Sequence, residues 1–408
     1  MYPSLKIPAV LGLAICFASC EVGGAAHPGT TPLVSPAPVA AQETETATRG
    51  ERKTTSSEIA LSNLSSQISS FQQRVGRIPA DISSRETLVG LLLARTQYLG
   101  TYDDFDAAFQ LAKDAIEQKQ APARAAILHA RVLSAVHRFK AASAELDRAE
   151  SLGSSATQPL RETIALATGQ HFAAITESRA QVADELPSYA SLTKLAASLT
   201  KSERFEESDA AYHEALARYR DVSPLPMAWV AFQRGVIWGE LADDSQRAYE
   251  QYHLAVARLP QYIVGNVHLS EIEVERGEAE AAIARLERIV NTTVDPEPAS
   301  RLAEYLSEAD PERAARYRAQ AHAGYQELLA RYPLAFADHA TEFYLGAGDD
   351  AQRALELALV NLGNRKTSRA YGLAIEAATA ASRPALACKL VREAKLPTHG
   401  SCRPSPTL

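Results

Sequence analysis

What this sequence lacks narrows it quickly. Positive charge is not in surplus: 42 Lys and Arg stand against 49 Asp and Glu, a formal net charge of -7. The two signs are mixed along the chain with no basic stripe, which argues against a nucleic-acid partner. Convincing runs of alternating β-branched residues are missing, which argues against a β class. No glycine-rich phosphate loop follows a strand, no nucleophile elbow appears, and no cysteine stands at zinc spacing from a histidine. The expectation is therefore a protein that is not an enzyme and needs neither cofactor nor metal. Cysteine is scarce, with four in 408 residues. An apolar stretch from Ala9 to Ala18 is too short to span a bilayer comfortably.

Helix formers are abundant, and a cadence runs through them. A small residue, a bulky residue four later and a second small or apolar residue seven later recur roughly every 34 residues. The small member falls at Ala108, Ala142, Ala174, Ser208, Ala248, Ala282, Ala321, Ala354 and Ala387. Such a period describes a helix hairpin that cannot bury its apolar face alone and stacks on its neighbours. The fold expected is all-α, an α-solenoid of about nine hairpins over 84–394. Before it, Thr55-Ser56-Ser57-Glu58 has capping-box spacing, and Leu61, Leu64, Ile68, Phe71 and Val75 follow at helical intervals. Residues 55–83 are read as a helix that covers the first repeat or, alternatively, joins another chain as a coiled coil.

The hairpin opening at Ala228 gives the pattern a name. Trp229, Phe232, Gly235 and Trp238, then Ala248, Tyr252, Ala255 and Pro260, resemble the tetratricopeptide repeat. In that family a large residue, a Leu-Gly pair and an aromatic on one helix meet Ala, an aromatic, Ala and Pro on the next. Arg234 departs from the pattern, and Asp243-Asp244-Ser245 gives a turn that looks one residue long. Near Asp310-Pro311 a break or bend in the solenoid is expected, since proline cannot continue a helix interior.

The resemblance implies a concave groove lined by the first helices, and a protein segment or helix as partner. Carried over residue by residue, it places Trp229, Phe232, Val236, Val264, Val267, Glu271, Glu275, Phe336, His339 and Phe343 there, as an apolar floor with acidic edges. Two clusters have ligand-like spacing: Asp338, His339 and Glu342, and His268 with Glu271 and Glu275. Solvated helix faces commonly look like this, and no metal is expected at either.

The N-terminus reads separately. Lys6, the apolar stretch and Phe17-Ala18-Ser19-Cys20 resemble a bacterial lipoprotein signal. That implies cleavage after residue 19 and lipidation of Cys20; an ordinary secretory signal is the alternative. Residues 20–54, rich in Pro, Gly, Ala and Thr, read as a disordered tether. Residues 395–408 form a tail. Cys388 and Cys402 either pair as a disulfide or remain a small buried residue and a free tail thiol.

Together these features describe an envelope lipoprotein of the inner or outer membrane, facing the periplasm or cell surface. Its solenoid would bind another protein as adaptor or scaffold. The alternatives are a self-associating structural lipoprotein and a helical-repeat enzyme acting on envelope substrates.

Overall fold

The structure is a computed structural model that describes residues 53–396. The signal-like segment, Cys20, nearly all of the tether and the tail with Cys402 lie outside the described residues. Among the described residues there are nineteen α-helices and no strand. Helix α1 (Ser57–Arg77) precedes nine hairpins. The first three pair α2 (Ile82–Leu99) with α3 (Asp103–Gln118), α4 (Pro122–Ala135) with α5 (Phe139–Ser151), and α6 (Gln158–Ala167) with α7 (Phe172–Glu185). Next come α8 (Tyr189–Lys201) with α9 (Phe205–Arg218), α10 (Leu225–Val236) with α11 (Ser245–Arg258), and α12 (Ile263–Glu275) with α13 (Ala279–Ile289). The last three are α14 (Glu297–Tyr305) with α15 (Pro311–Arg331), α16 (Pro333–Leu345) with α17 (Ala351–Asn364), and α18 (Ser368–Ala380) with α19 (Pro384–Glu393). The chain is an α-solenoid of stacked hairpins, as the cadence implies.

The small residues explain the stacking. Ala108, Ala142, Ser208, Ala248, Ala282, Ala321 and Ala354 each lie on a second helix and are fully buried. A small side chain lets two helices approach, and the bulky residue four later fills the groove beside it. Ala174 is the exception: it is exposed. Phe105, Phe139, Phe172 and Phe205 stand three residues before Ala108, Ala142, Ile175 and Ser208, so the register of the third hairpin lies one residue later than expected. Isoleucine occupies the close-approach position there and Arg179 the bulky one. Arg179 is buried and donates to the Lys194 carbonyl at 2.9 Å while pairing with Glu162 at 3.2 Å. Polar contacts replace the apolar interlock in this hairpin.

Two local expectations change. Pro311 does not bend a helix; it opens one. Asp310 caps α15 by accepting from the Arg313 N–H at 3.1 Å, and proline at the first helical position gives up an N–H that has no partner anyway. Helix α15 then runs 21 residues unbroken. After α10, the extra residue is absorbed by a π-helical turn, Ile237–Leu241, before Asp244 caps α11 at 3.0 Å. The N-terminal cap of α1 is Ser56, which accepts from the Ile59 N–H; Thr55 instead donates its N–H to the Val222 carbonyl at 2.8 Å.

The solenoid winds tightly enough to close on itself. The Tyr102 hydroxyl donates to Asp295 at 2.6 Å, and the Thr293 hydroxyl donates to the Leu99 carbonyl at 3.1 Å. Arg331 pairs with Asp103 and Asp106, both at 2.7 Å. Farther along, His137 meets the Leu334 carbonyl at 3.2 Å and Asn364 donates to the His137 carbonyl at 3.0 Å. Apolar side chains complete the seam: Phe105 packs edge-on against Tyr332, and Tyr102 against Phe336. Val89, Leu93, Leu128 and Val132 of the first two hairpins share one core with Val267, Phe336 and Ala340. The lumen of the superhelix is thus a packed interior. Helix α1 joins this arrangement as a cover, with Leu64, Ile68 and Val75 in the same apolar cluster as Leu88, Leu92 and Trp229.

Candidate functional site

The charged residues that face the lumen form one connected network. Glu240 leaves the π-helical turn and meets His268 of α12 at 3.4 Å. His268 lies 3.0 Å from Glu271 on the same helix, and Glu271 pairs through its other oxygen with Arg301 of α14 at 2.7 Å. Arg301 also reaches Glu304 at 3.3 Å and approaches Glu342 of α16 at 4.0 Å. Glu342 in turn pairs with Arg369 of α18, and Asp338, fully buried, pairs with Arg365. His339 faces Glu297 at 3.5 Å, and the Glu297 N–H donates to Asp295 at 2.9 Å. Consecutive first helices each contribute, so the repeat itself brings the groups together.

Burial and neighbours set the protonation states. Burial opposes charge on His268, but Glu271 and Glu240 outweigh it and hold the imidazole up at about 10. His339 is held at about 9 against burial by Asp338 and Glu297. Burial raises Glu240 to about 7 despite His268. Asp295 rises to about 6 through burial and the nearby Glu297 charge. Glu297 falls to about 2, because His339 outweighs its burial, and Asp338 is also lowered, its burial overcome by Arg365. Outside this network of paired charges, burial drives His137 down to about 3.

Of the residues assigned to a concave groove, Phe232, Val264, Phe336 and His339 line the lumen, and most of the set is core. Trp229, Phe232, Val236, Val267, Phe336 and Phe343 are buried. Phe232 packs on Tyr252, Tyr262 and His268, and Phe343 on Tyr325. The open floor expected of them is filled mainly by neighbouring hairpins, with the opposite wall reaching Phe336 through Tyr102. Val264, Glu271 and His339 keep partial exposure, and Glu275 is exposed. A cavity of about 20 Å³ remains between Thr96, Gln97 and Tyr102 on one side and Phe232, Tyr262, Val264 and His339 on the other. That is room for about one water.

The two ligand-like clusters are rearranged. Glu275 points away, and Glu240 takes its place beside His268 and Glu271. Asp338 turns to Arg365, while Glu297 joins His339 and Glu342. The sequence reading missed Arg301, Arg365 and Arg369. Glu297 and Arg301, four apart, look like a surface pair, and the only signal to the contrary is that α14 is a first helix whose face must meet the lumen. Cys388 is disulfide-bonded, with its expected partner Cys402 outside the described residues.

No protein-family model matches the chain, and no curated protein matches it. Among solved structures, a chain of the Cut9–Hcn1 hetero-tetramer of APC/C is 12% identical, with a TM-score of 0.42 over 76% of this chain. This chain spans 59% of that neighbour's length. Human IFIT1 is 10% identical with a TM-score of 0.39, covering 82% of this chain and 68% of its own. The P58(IPK) TPR domain is 13% identical with a TM-score of 0.26, over 83% and 89%. Values this low carry no argument about function. The assignment of stacked helix hairpins rests on the geometry above.

Proposed function

We propose that this chain is an envelope lipoprotein that holds another protein on its helical-repeat body, tethered to the membrane through Cys20. The observation that carries the scaffold reading is the architecture itself: nine stacked hairpins present an extended outer surface. No described helix is long and apolar enough to cross a membrane, so in this reading the acyl chains alone make the attachment, and several of them at about 0.8 kcal/mol per methylene suffice. Of the groove residues Glu275 is the exposed one, and the partner is proposed to dock around it. Self-association through α1 finds less support, because its apolar stripe is used inside the chain.

The test is photocrosslinking in the native host with a probe at Glu275 and a comparison probe at Glu312, an exposed position on α15. A discrete protein adduct from Glu275 alone is expected. Equal adducts from both, or adducts only to a second copy of the chain, would contradict a rim-docked partner. Cys20→Ser should move the protein from the membrane fraction to the soluble fraction; retention in the membrane fraction would contradict the anchor.

A further inference from the structure

We infer that Glu240, His268 and Glu271 form a binding site for a divalent first-row transition cation of the zinc type. This stands apart from the scaffold reading and would survive its failure. One ligand atom from each residue lies within 4.8 Å of the others. The separations from His268 Nδ1 are 3.0 Å to Glu271 Oε2 and 3.4 Å to Glu240 Oε1. Ligands at about 2.0–2.1 Å from a tetrahedral metal stand about 3.3 Å apart, so these are edges of a coordination polyhedron.

A second observation points the same way. His268 is 1% exposed, yet neither of its ring nitrogens makes a hydrogen bond. Both carboxylates crowd the imidazole at pairing distance without lying on its donor directions. Without metal the two carboxylates hold this imidazole as an ion pair with poorly directed hydrogen bonds, and a cation set between the three groups would take the place of its proton.

The surroundings complete the donor set. Glu240 is buried on the π-helical turn, and such turns are frequent at functional sites. Glu271 divides its oxygens, Oε2 toward His268 and Oε1 toward Arg301 Nε at 2.7 Å. That guanidinium is the outer partner that a metal-bound carboxylate takes to fix its orientation. One imidazole with two carboxylates suits zinc, manganese or ferrous iron better than calcium, which asks for six or more oxygens. The related group Glu297, His339 and Glu342 differs in that Glu342 carries a second guanidinium, Arg369, besides Arg301. Bound at the first group, the cation would fasten the end of α10 to α12 across two hairpins.

The experiment uses the chelator-stripped full chain, titrated with Zn(II) by calorimetry in two buffers of different ionisation enthalpy, and with Co(II) by visible absorption. One equivalent should bind with net release of protons, because the ligands must be deprotonated to coordinate. Glu240→Gln should weaken binding roughly tenfold or more with the far-ultraviolet circular dichroism unchanged, while Glu275→Gln binds like the parent chain. X-ray absorption of the Zn-loaded parent chain should show a single imidazole in the shell and needs no variant. A folded parent chain that retains no Zn(II), a shell without imidazole, or a folded Glu240→Gln chain of unchanged affinity would overturn the site.

Discussion

Replacing Gly235 by alanine tests the packing logic of the whole solenoid, because two effects of opposite sign meet at that position. Alanine is a better helix former than glycine by about 0.8–1.0 kcal/mol, so propensity alone predicts stabilisation. The structure opposes it. A Cβ built on Gly235 would lie 2.4 Å from two ring carbons of Tyr252, which is fully buried between helices α10 and α11. That ring cannot retreat: Phe232 lies against it with centroids 5.7 Å apart, and His268 stacks on it at 5.4 Å. Overpacking a tight core typically costs about 1–3 kcal/mol, and a contact about 1 Å short of ordinary van der Waals distance belongs at the upper end of that range. The net change is a loss of about 2 kcal/mol. Gly363 on α17 is the control, since a Cβ there meets nothing within 4 Å. Gly363→Ala should gain about 0.5–1 kcal/mol from propensity alone. The assay is urea unfolding of both variants and the parent chain, followed by circular dichroism and by tyrosine fluorescence, so that any loss of two-state behaviour in a repeat protein shows as divergent midpoints. If Gly235→Ala is stabilised as much as Gly363→Ala, the close approach of α10 to α11 is not what holds the hairpin, and the role given to small residues throughout the stack is wrong.

Arg301→Met should destabilise the fold by less than the roughly 3–5 kcal/mol of a fully buried broken pair, because Glu271 and Glu342 keep partial exposure and their other partners, His268 and Arg369; Glu271→Gln in the same chain should restore part of the loss, and a double-mutant cycle in denaturant without that coupling would refute the network. Phe105→Ala, at a fully buried position, should cost about 3–5 kcal/mol. Native-state hydrogen exchange should then rise at both 102–108 and 332–343, and a rise confined to the first segment would contradict closure of the superhelix. The pair His339–Glu297 shapes the pH dependence in metal-free buffer. The imidazole is raised to about 9, so its contribution is fully present below about 6.5 and is lost as pH climbs through 9, at most about 1.4 kcal/mol per pH unit. The carboxylate is lowered to about 2, so its contribution is present above about 4.5 and is lost as pH falls through 2. His339→Gln should flatten the alkaline side of a Tm-against-pH curve, and an unchanged slope would show that His339 is not charged in the fold.

The parts of this molecule that were legible in its sequence are those governed by contacts a few residues apart. Ala248 and Tyr252 announce a tight hairpin because the four-residue step between a small and a large side chain is fixed by the helix itself. The third hairpin hides its register for the same local reason: Ala174 satisfies the small-residue rule, and only the position of Phe172 relative to Phe105, Phe139 and Phe205 points to Ile175 instead. The lumen was not legible at all. Tyr102 and Asp295 meet across nearly two hundred residues, and whether a stack of hairpins stays open or closes depends on small rotations accumulated at each interface. Once it closes, residues at groove positions change their meaning. Phe336, met by Tyr102 across the seam, becomes core, and Arg301, which beside Glu297 reads as half of a surface ion pair, becomes a cation set between the largely buried Glu271 and Glu342. Glu240 shows the same dependence on a smaller scale. Its chemistry follows from one extra residue after α10, which the helix absorbs as a π turn instead of passing it to the loop, and that choice turns a carboxylate toward His268 that a regular α-helical turn would aim elsewhere.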